Sequence, residues 1–273
     1  MQRMEQLMEL LRKYSGGGIA LAFSGGVDSS FLLFSLKRLH DRKPFPLKAV
    51  MMQTVFQQED EFSEARKTAA ELGSTLEVLR CDPLSLPELR TNPPDRCYRC
   101  KRHIFGEFLK FCREHGIKTL MDGTNADDLQ VYRPGRKALR ELGVVSPLAE
   151  LGFTKAEIRS LAAEHGLDFA SKPSMPCLAT RFEYGTELTP ELLERTGQGE
   201  TFIRKILPEN TAVRLRVQGK IARIEVPPPA MGTILANREE IAAKLRKLNF
   251  EFITLDLEGF RSGCYDKKEE KTL

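Results

Sequence analysis

The sequence predicts an α/β fold: a parallel sheet covered by helices, followed by a smaller α+β domain. Three observations predict it. Short apolar runs alternate with helically spaced segments through the first half, the order that builds a parallel sheet with helices on both faces. The loops richest in glycine and polar residues fall where those runs end, which is where such sheets bind ligands. The chain has 273 residues, enough for about two domains at roughly 150 residues each; the division falls as residues 1–180 and 181–273.

Taken in order, Met1–Tyr14 sets charges among apolar residues at helical spacing and lacks the apolar core and cleavage site of a secretion signal. Gly18–Phe23 reads as a buried strand, Ser29–Leu39 as a helix and Leu47–Met52 as a second strand. Asp60–Leu72 is a helix ending at Gly73, Leu76–Arg80 a third strand, Tyr98–His115 a helix ending at Gly116, and Lys118–Met121 a fourth strand. Between them Asp82–Arg96, with Pro83, Pro87, Pro93 and Pro94, reads as a loop. Thr154 is placed to cap a helix that runs to His165, and Ala170–Thr180 after it is irregular. The second domain reads as a helix over Pro190–Leu207, a hairpin of Val213–Val217 and Ile221–Val226 around Gln218–Gly219, a helix over Arg238–Leu248 and a strand at Glu251–Leu255. That order suggests a ferredoxin-like arrangement, with a charged, frayed tail at Asp266–Leu273.

Composition narrows the class. Apolar residues make up 41% and charged residues 29% of the chain, which excludes wholesale disorder and fibrous structure. No apolar run reaches the roughly 18 residues of a membrane span, so the sequence reads as cytoplasmic. A net charge of +4 permits a phosphorylated substrate but argues against a nucleic-acid binder. Six cysteines in a reducing compartment call for metal, catalysis or burial rather than disulfides. Cys112, one turn after Phe108 in a stripe with Ile104 and Phe105, reads as burial.

The first chemical motif is Ser24-Gly25-Gly26-Val27-Asp28-Ser29-Ser30, between a strand and a helix. Glycines let backbone amides approach an anion, and the helix N-terminus adds unpaired N–H groups and its dipole. Asp28 either holds Mg²⁺ beside a phosphate or completes the helix cap. The second motif is Cys97-Tyr98-Arg99-Cys100, opening a helix among Arg96, Lys101 and Arg102, surroundings that favour ionised thiols. Cys177 follows in a Pro-flanked loop, where burial accounts for it poorly. Three thiolates suit a cubane iron–sulfur cluster with one iron left open. Zinc, with His103 or Cys81 as a further ligand, and an unmetallated site are the other readings.

SGGVDSS resembles the pyrophosphate loop of the PP-loop ATP pyrophosphatases, which have an adenine nucleotide alpha hydrolase-like fold and include GMP synthetase, NAD synthetase and tRNA-thiolating enzymes. The resemblance implies ATP and Mg²⁺ bound by Ser24, Gly25, Gly26, Asp28, Ser29 and Ser30, with adenine near Ala22, Phe23 and Met51. A polarizable Met51 or Met52 suits a base face, and core packing suits either equally. Gly123-Thr124-Asn125-Ala126-Asp127-Asp128 resembles a second loop such enzymes present to ATP; Asp127 and Asp128 either steer Mg²⁺ or cap a helix.

Cys97–Lys101, the GTNADD loop, Ser146–Leu148 with Lys155–Arg159, Pro176–Arg181, Ala222–Val226 and Leu255–Gly263 together resemble the LarE family, from about Ala20 to Gly263. That resemblance implies an ATP-dependent sulfur transferase that turns the carboxylates of pyridinium-3,5-biscarboxylic acid mononucleotide into thiocarboxylates for the nickel-pincer nucleotide cofactor. In one branch of the family the cysteine matching Cys177 surrenders its sulfur and ends as dehydroalanine. In the other, cysteines matching Cys97, Cys100 and Cys177 hold a 4Fe–4S cluster carrying sulfide from an exogenous donor; this sequence has all three, and the cluster type is expected. Asp28 and Cys177 are then the catalytic residues. Arg214 and Arg216, alternating on one strand, and Arg181 are candidates for the substrate phosphate, against the plainer reading of surface arginines. Glu200 and Glu225 are candidates for a divalent metal, and a homo-oligomer is implied. The rival readings are a tRNA-thiolating PP-loop enzyme, which needs a basic surface, and a non-catalytic ATP or metal sensor.

Overall fold

The alternation of strand and helix is present in the computed structural model, which describes residues 2–130, 134–171 and 176–261. Cys264, the charged tail from Asp266, and residues 172–175 of the irregular segment lie outside the described residues. The chain divides into two units. The first takes Met1–Thr54, Glu59–Pro83 and Asp95–Met175; the second takes Val55–Gln58, Leu84–Pro94 and Pro176–Leu273.

In the first unit β1 (Ile19–Ala22), β2 (Leu47–Gln53), β3 (Leu76–Arg80) and β4 (Thr119–Met121) form a parallel sheet in the order β3-β2-β1-β4. Ile19, Ala20 and Leu21 are buried without interruption, because a parallel sheet is covered on both faces. Successive side chains serve different layers, as the period of two requires. Leu21 packs with Leu7, Leu11, Phe31 and Phe153, and Ala20 with Val50, Phe105, Phe108 and Leu120 on the other face. Cys112 sits in that second layer, buried, and burial pushes its thiol up to about 11. The chain moves from β1 to β2 and β3 on one side and places β4 on the other. The order therefore reverses between β1 and β4, the point where ligands bind in open α/β sheets.

The second unit holds the Pro190–Ile206 helix, started by Pro190 and by the Thr189 side chain, which accepts from the Leu192 N–H. Its strands β5 (Arg214–Gln218), β6 (Ile221–Glu225) and β7 (Phe252–Leu255) lie in that order. β5 and β6 form the expected antiparallel hairpin, turning through Gly219 at φ +57°. β7 runs parallel to β6, so the ferredoxin-like expectation is corrected. The connection crosses over through the Met231–Ala236 and Arg238–Lys247 helices, which delivers the last strand in the same direction. The Pro-rich Asp82–Arg96 segment is also more ordered than expected. Pro87 occupies the first position of a helical turn at Pro87–Arg90, where the missing N–H costs nothing.

Candidate active site

The loop after β1 is shaped by its glycines. Gly25 has φ +70°, and a Cβ there would stand 2.8 Å from the Ala65 Cβ. Ser24 and Ser29 bridge the loop, their hydroxyls 3.1 Å apart, and Ser29 Oγ donates to the Gly26 carbonyl at 3.1 Å. The Val27–Arg42 helix that follows has Gly26 at its N-cap and no side-chain cap. Its first N–H groups are thus left for an anion. Asp28 does not take the capping role offered to it. Its Oδ1 is buried with no hydrogen-bond partner, and Ser30 Oγ shares that state among the described residues.

The loop after β4 closes on the same point. A Cβ on Gly123 would lie 2.8 Å from the Ser29 nitrogen, so only glycine admits this approach. Asn125 and Asp128 cap one another: the Asp128 N–H donates to Asn125 Oδ1 at 3.1 Å and the Asn125 N–H to Asp128 Oδ2 at 3.3 Å. Asp127 Oδ2 accepts from the Lys155 N–H at 2.8 Å. These hydrogen bonds are those of helix starts. Lys155, to which the sequence reading gave no role of its own, brings Nζ to 3.6 Å from Asp28 Oδ2. Burial raises the Asp28 carboxyl above its ordinary range; Lys155 and Asn125 oppose that and Asp128 adds to it. A desolvated carboxylate with an orphaned oxygen, beside bare helix N–H groups and a lysine, fits a magnesium-bound polyphosphate. Met51 and Phe23 are buried and packed in the first core layer, while Ala22 is half-buried.

Cys97 and Cys100 stand on the first turns of the Arg96–Glu114 helix, Cys97 exposed and Cys100 half-buried. The buried Arg96 donates from Nη2 to Cys97 Sγ at 3.5 Å. The Cys81 thiol is pushed up to about 11, by burial first and then by Glu107 and Asp82, which disfavours the thiolate a metal needs. Cys177 is half-buried and belongs to the second unit. The three expected ligands fit a thiolate-held centre in kind. Among the described residues, however, no group of three or more His, Cys, Asp or Glu is gathered to hold a metal ion.

In the second unit the acidic and basic candidates have found each other. Arg181 is fully buried and grips Glu200 with Nε and Nη2 at 2.8 and 2.6 Å. Glu200 also accepts from Gln58, Arg204 and the Leu215 N–H. Burial works against the Glu200 charge, and Arg181 with the Leu215 N–H overcomes it and holds the carboxyl below its ordinary range. Arg216 pairs with Glu225 at 3.1 Å, both buried, and Arg223 reaches the other Glu225 oxygen. Arg214 differs: it makes no ion pair among the described residues and lies 4.8 Å from the Phe260 ring centroid. Burial first, then the charge of Arg181, lowers it to about 10.

A parallel sheet that brings an SGGxDS loop with an uncapped helix to its switch point is the phosphate end of a PP-loop, ATP-using enzyme. The asparagine synthase family profile matches residues 12–131, which include that loop. Over 246 residues the chain is 34% identical to the pyridinium-3,5-bisthiocarboxylic acid mononucleotide synthase of Lactiplantibacillus plantarum, covering 90% of this chain and 87% of that protein. An uncharacterized protein of Synechocystis sp. is 33% identical over 95% of this chain and 97% of its own length. One from Methanocaldococcus jannaschii is 30% identical over 93% and 94%. The chain belongs to the LarE family and is an ATP-using sulfurtransferase. No helix among the described residues is long and apolar enough to cross a membrane.

Proposed function

We propose that this enzyme activates the carboxylates of pyridinium-3,5-biscarboxylic acid mononucleotide with ATP and exchanges a carboxylate oxygen for sulfur, in the biosynthesis of the nickel-pincer nucleotide. The observation that carries the first step lies in the phosphate loop: among the described residues Asp28 Oδ1 has no hydrogen-bond partner, and the helix it starts has no side-chain cap. Asp28 would ligate Mg²⁺, which when bound neutralises the polyphosphate and orients it. Loop amides, the Ser24 and Ser29 hydroxyls and Lys155 hold the phosphates, so catalysis comes from positioning and charge. A substrate carboxylate oxygen attacks the α-phosphorus, pyrophosphate leaves, and an acyl adenylate remains. A sulfur nucleophile then attacks the acyl carbon, and AMP leaves with the original oxygen. Arg214, half-buried and without an ion pair among the described residues, is the residue we assign to the substrate phosphate.

Cys177 is the residue on which the sulfur step depends. Together with Cys97 and Cys100 it would hold a 4Fe–4S cluster, which when bound supplies a sulfide from an exogenous donor. A second reading rests on Cys177 alone, half-buried in the second unit. In it Cys177 gives its own sulfur, the thiocarboxylate leaves by β-elimination, and dehydroalanine remains.

The test is anaerobic purification and reconstitution with iron and sulfide, followed by iron, labile sulfide and zinc analysis of wild type and Cys177→Ala. Pyrophosphate release is measured alongside, with and without the dicarboxylate nucleotide. Substrate-dependent pyrophosphate release is the expected result, and its absence overturns the adenylylation. Cluster iron lost in the variant supports the sulfide route. Zinc or no metal, with the mass of one H₂S lost from Cys177 on turnover, supports the sacrificial route.

A further inference from the structure

The Cys177 turn is held by several donors. The Cys177 carbonyl accepts from the Thr180 N–H at 3.0 Å and the Thr180 hydroxyl at 2.7 Å. Arg181 Nη1 adds a third contact to it at 3.4 Å and reaches the Pro176 carbonyl at 3.0 Å and Thr180 Oγ1 at 2.8 Å. Arg181 cannot swing away, because its other two donors are fixed on both oxygens of Glu200. Arg216 repeats the arrangement one layer on. Its Nε is fixed on Glu225 and its Nη1 donates to the Thr180 carbonyl. The Leu178 N–H donates to the Phe56 carbonyl at 2.8 Å, tying down the turn's other end.

We propose that Arg181, oriented by Glu200, is the positioning residue that fixes the Cys177 turn for sulfur transfer, and that it is not a ligand of the substrate phosphate. Four of its five N–H donors are taken up, two along the fork by one carboxylate and two along Nη1 by the turn, and the side chain is fully buried, away from an incoming anion. A buried guanidinium costs several kcal/mol to desolvate, and the carboxylate and carbonyls that surround it offset that cost only in this geometry. Rigid placement matters because a reacting atom displaced by about 1 Å loses on the order of 100-fold in rate. Lysine in its place keeps the charge and loses the fork. The proposal rests on the reading that sulfur transfer depends on Cys177, as a cluster ligand or as the donor itself.

Two arms test it. In the first, whole protein is treated anaerobically with iodoacetamide, and modification of Cys177 and Cys97 is followed by mass spectrometry in wild type, Arg181→Lys and Thr180→Val. The Cys177 rate is expected to change several-fold in both variants while Cys97 stays constant. Equal Cys177 rates in all three overturn the proposal. Should Arg181→Lys fail to fold, Thr180→Val, which removes only the hydroxyl shared by Arg181 and the Cys177 carbonyl, decides alone. In the second arm, thiocarboxylate formation is measured with the dicarboxylate mononucleotide. A kcat lowered on the order of 100-fold with KM held within about twofold is expected. A raised KM at constant kcat makes Arg181 a phosphate ligand and overturns the proposal. A wild type that forms no thiocarboxylate defeats the sulfur-transfer reading, and the alkylation arm still judges the role of Arg181.

Discussion

The phosphate loop of the first unit and the Cys177 turn of the second are built on opposite principles. The first leaves polar atoms open: Asp28 Oδ1 and Ser30 Oγ have no partners among the described residues, and the helix behind them has no side-chain cap. The second saturates its turn: the Cys177 carbonyl takes three donors, and the arginines that supply or support them are each locked on a buried glutamate. Unpaired buried groups are costly, so they persist where a ligand completes them. Fully paired networks rigidify, which suits the role proposed for the Cys177 turn. Within one enzyme, receptive and rigid parts are thus distinguishable by hydrogen-bond accounting before any ligand is bound.

The sharpest way to break this contrast is Glu200→Ala. It strands buried Arg181 and is expected to lower the unfolding free energy by about 3–5 kcal/mol, read by urea denaturation. Because the Glu200 carboxyl is held below its ordinary value of 4.5, its contribution is complete above that value and fades as pH falls below it. The gap between variant and wild type should therefore close in acid. Asp28→Asn should do the reverse. Pyrophosphate formation should fall about 10²–10³-fold, while thermal stability at neutral pH holds or rises, because a carboxylate whose charge burial disfavours is replaced by a neutral amide. A loss of stability in that variant would remove the contrast. Thiol labelling sharpens it further. Cys81 and Cys112, both raised to about 11, should carry roughly 100-fold less thiolate than an ordinary cysteine and be labelled last, after Cys97, in a timed mass-spectrometric assay. The smallest effect is expected at Thr154→Ala. It opens the capping box in which the Thr154 side chain accepts from the Glu157 N–H and Glu157 accepts from Thr154, and should cost about 1 kcal/mol without change in sulfur transfer.

Much of this was legible in the sequence where the cause is local. Leu76–Arg80 is a strand with the bounds its apolar run predicts, and Thr154 caps the helix it was expected to cap. The SGGVDSS loop announces itself because glycine, serine and a following helix are neighbours in the chain. What was hidden depends on partners far away in sequence. Arg214 and Arg216 share a strand face as their alternation requires, yet Arg216 meets Glu225 across the hairpin and Arg214 meets the Phe260 ring. Alternation reports a side chain's face and says nothing of what lies opposite. Glu200 and Glu225, considered for a metal, are occupied by arginines for the same reason. Lys155 was given no role of its own because its link to Asp28 joins the start of a late helix to the start of an early one.

The second unit draws on Val55–Gln58 and Leu84–Pro94 as well as the chain beyond Pro176. Those early strips are bonded into it: the Leu178 N–H donates to the Phe56 carbonyl, and buried Asn92 donates from Nδ2 to the carbonyls of Phe182 and Glu183. During synthesis these strips emerge from the ribosome well before the residues they serve and wait for them. The second unit is consequently no detachable cassette. A gene fragment that begins at residue 176, or a chimera joined there, would inherit the sheet and its paired arginines while leaving behind the backbone that seats Leu178, the residue next to Cys177.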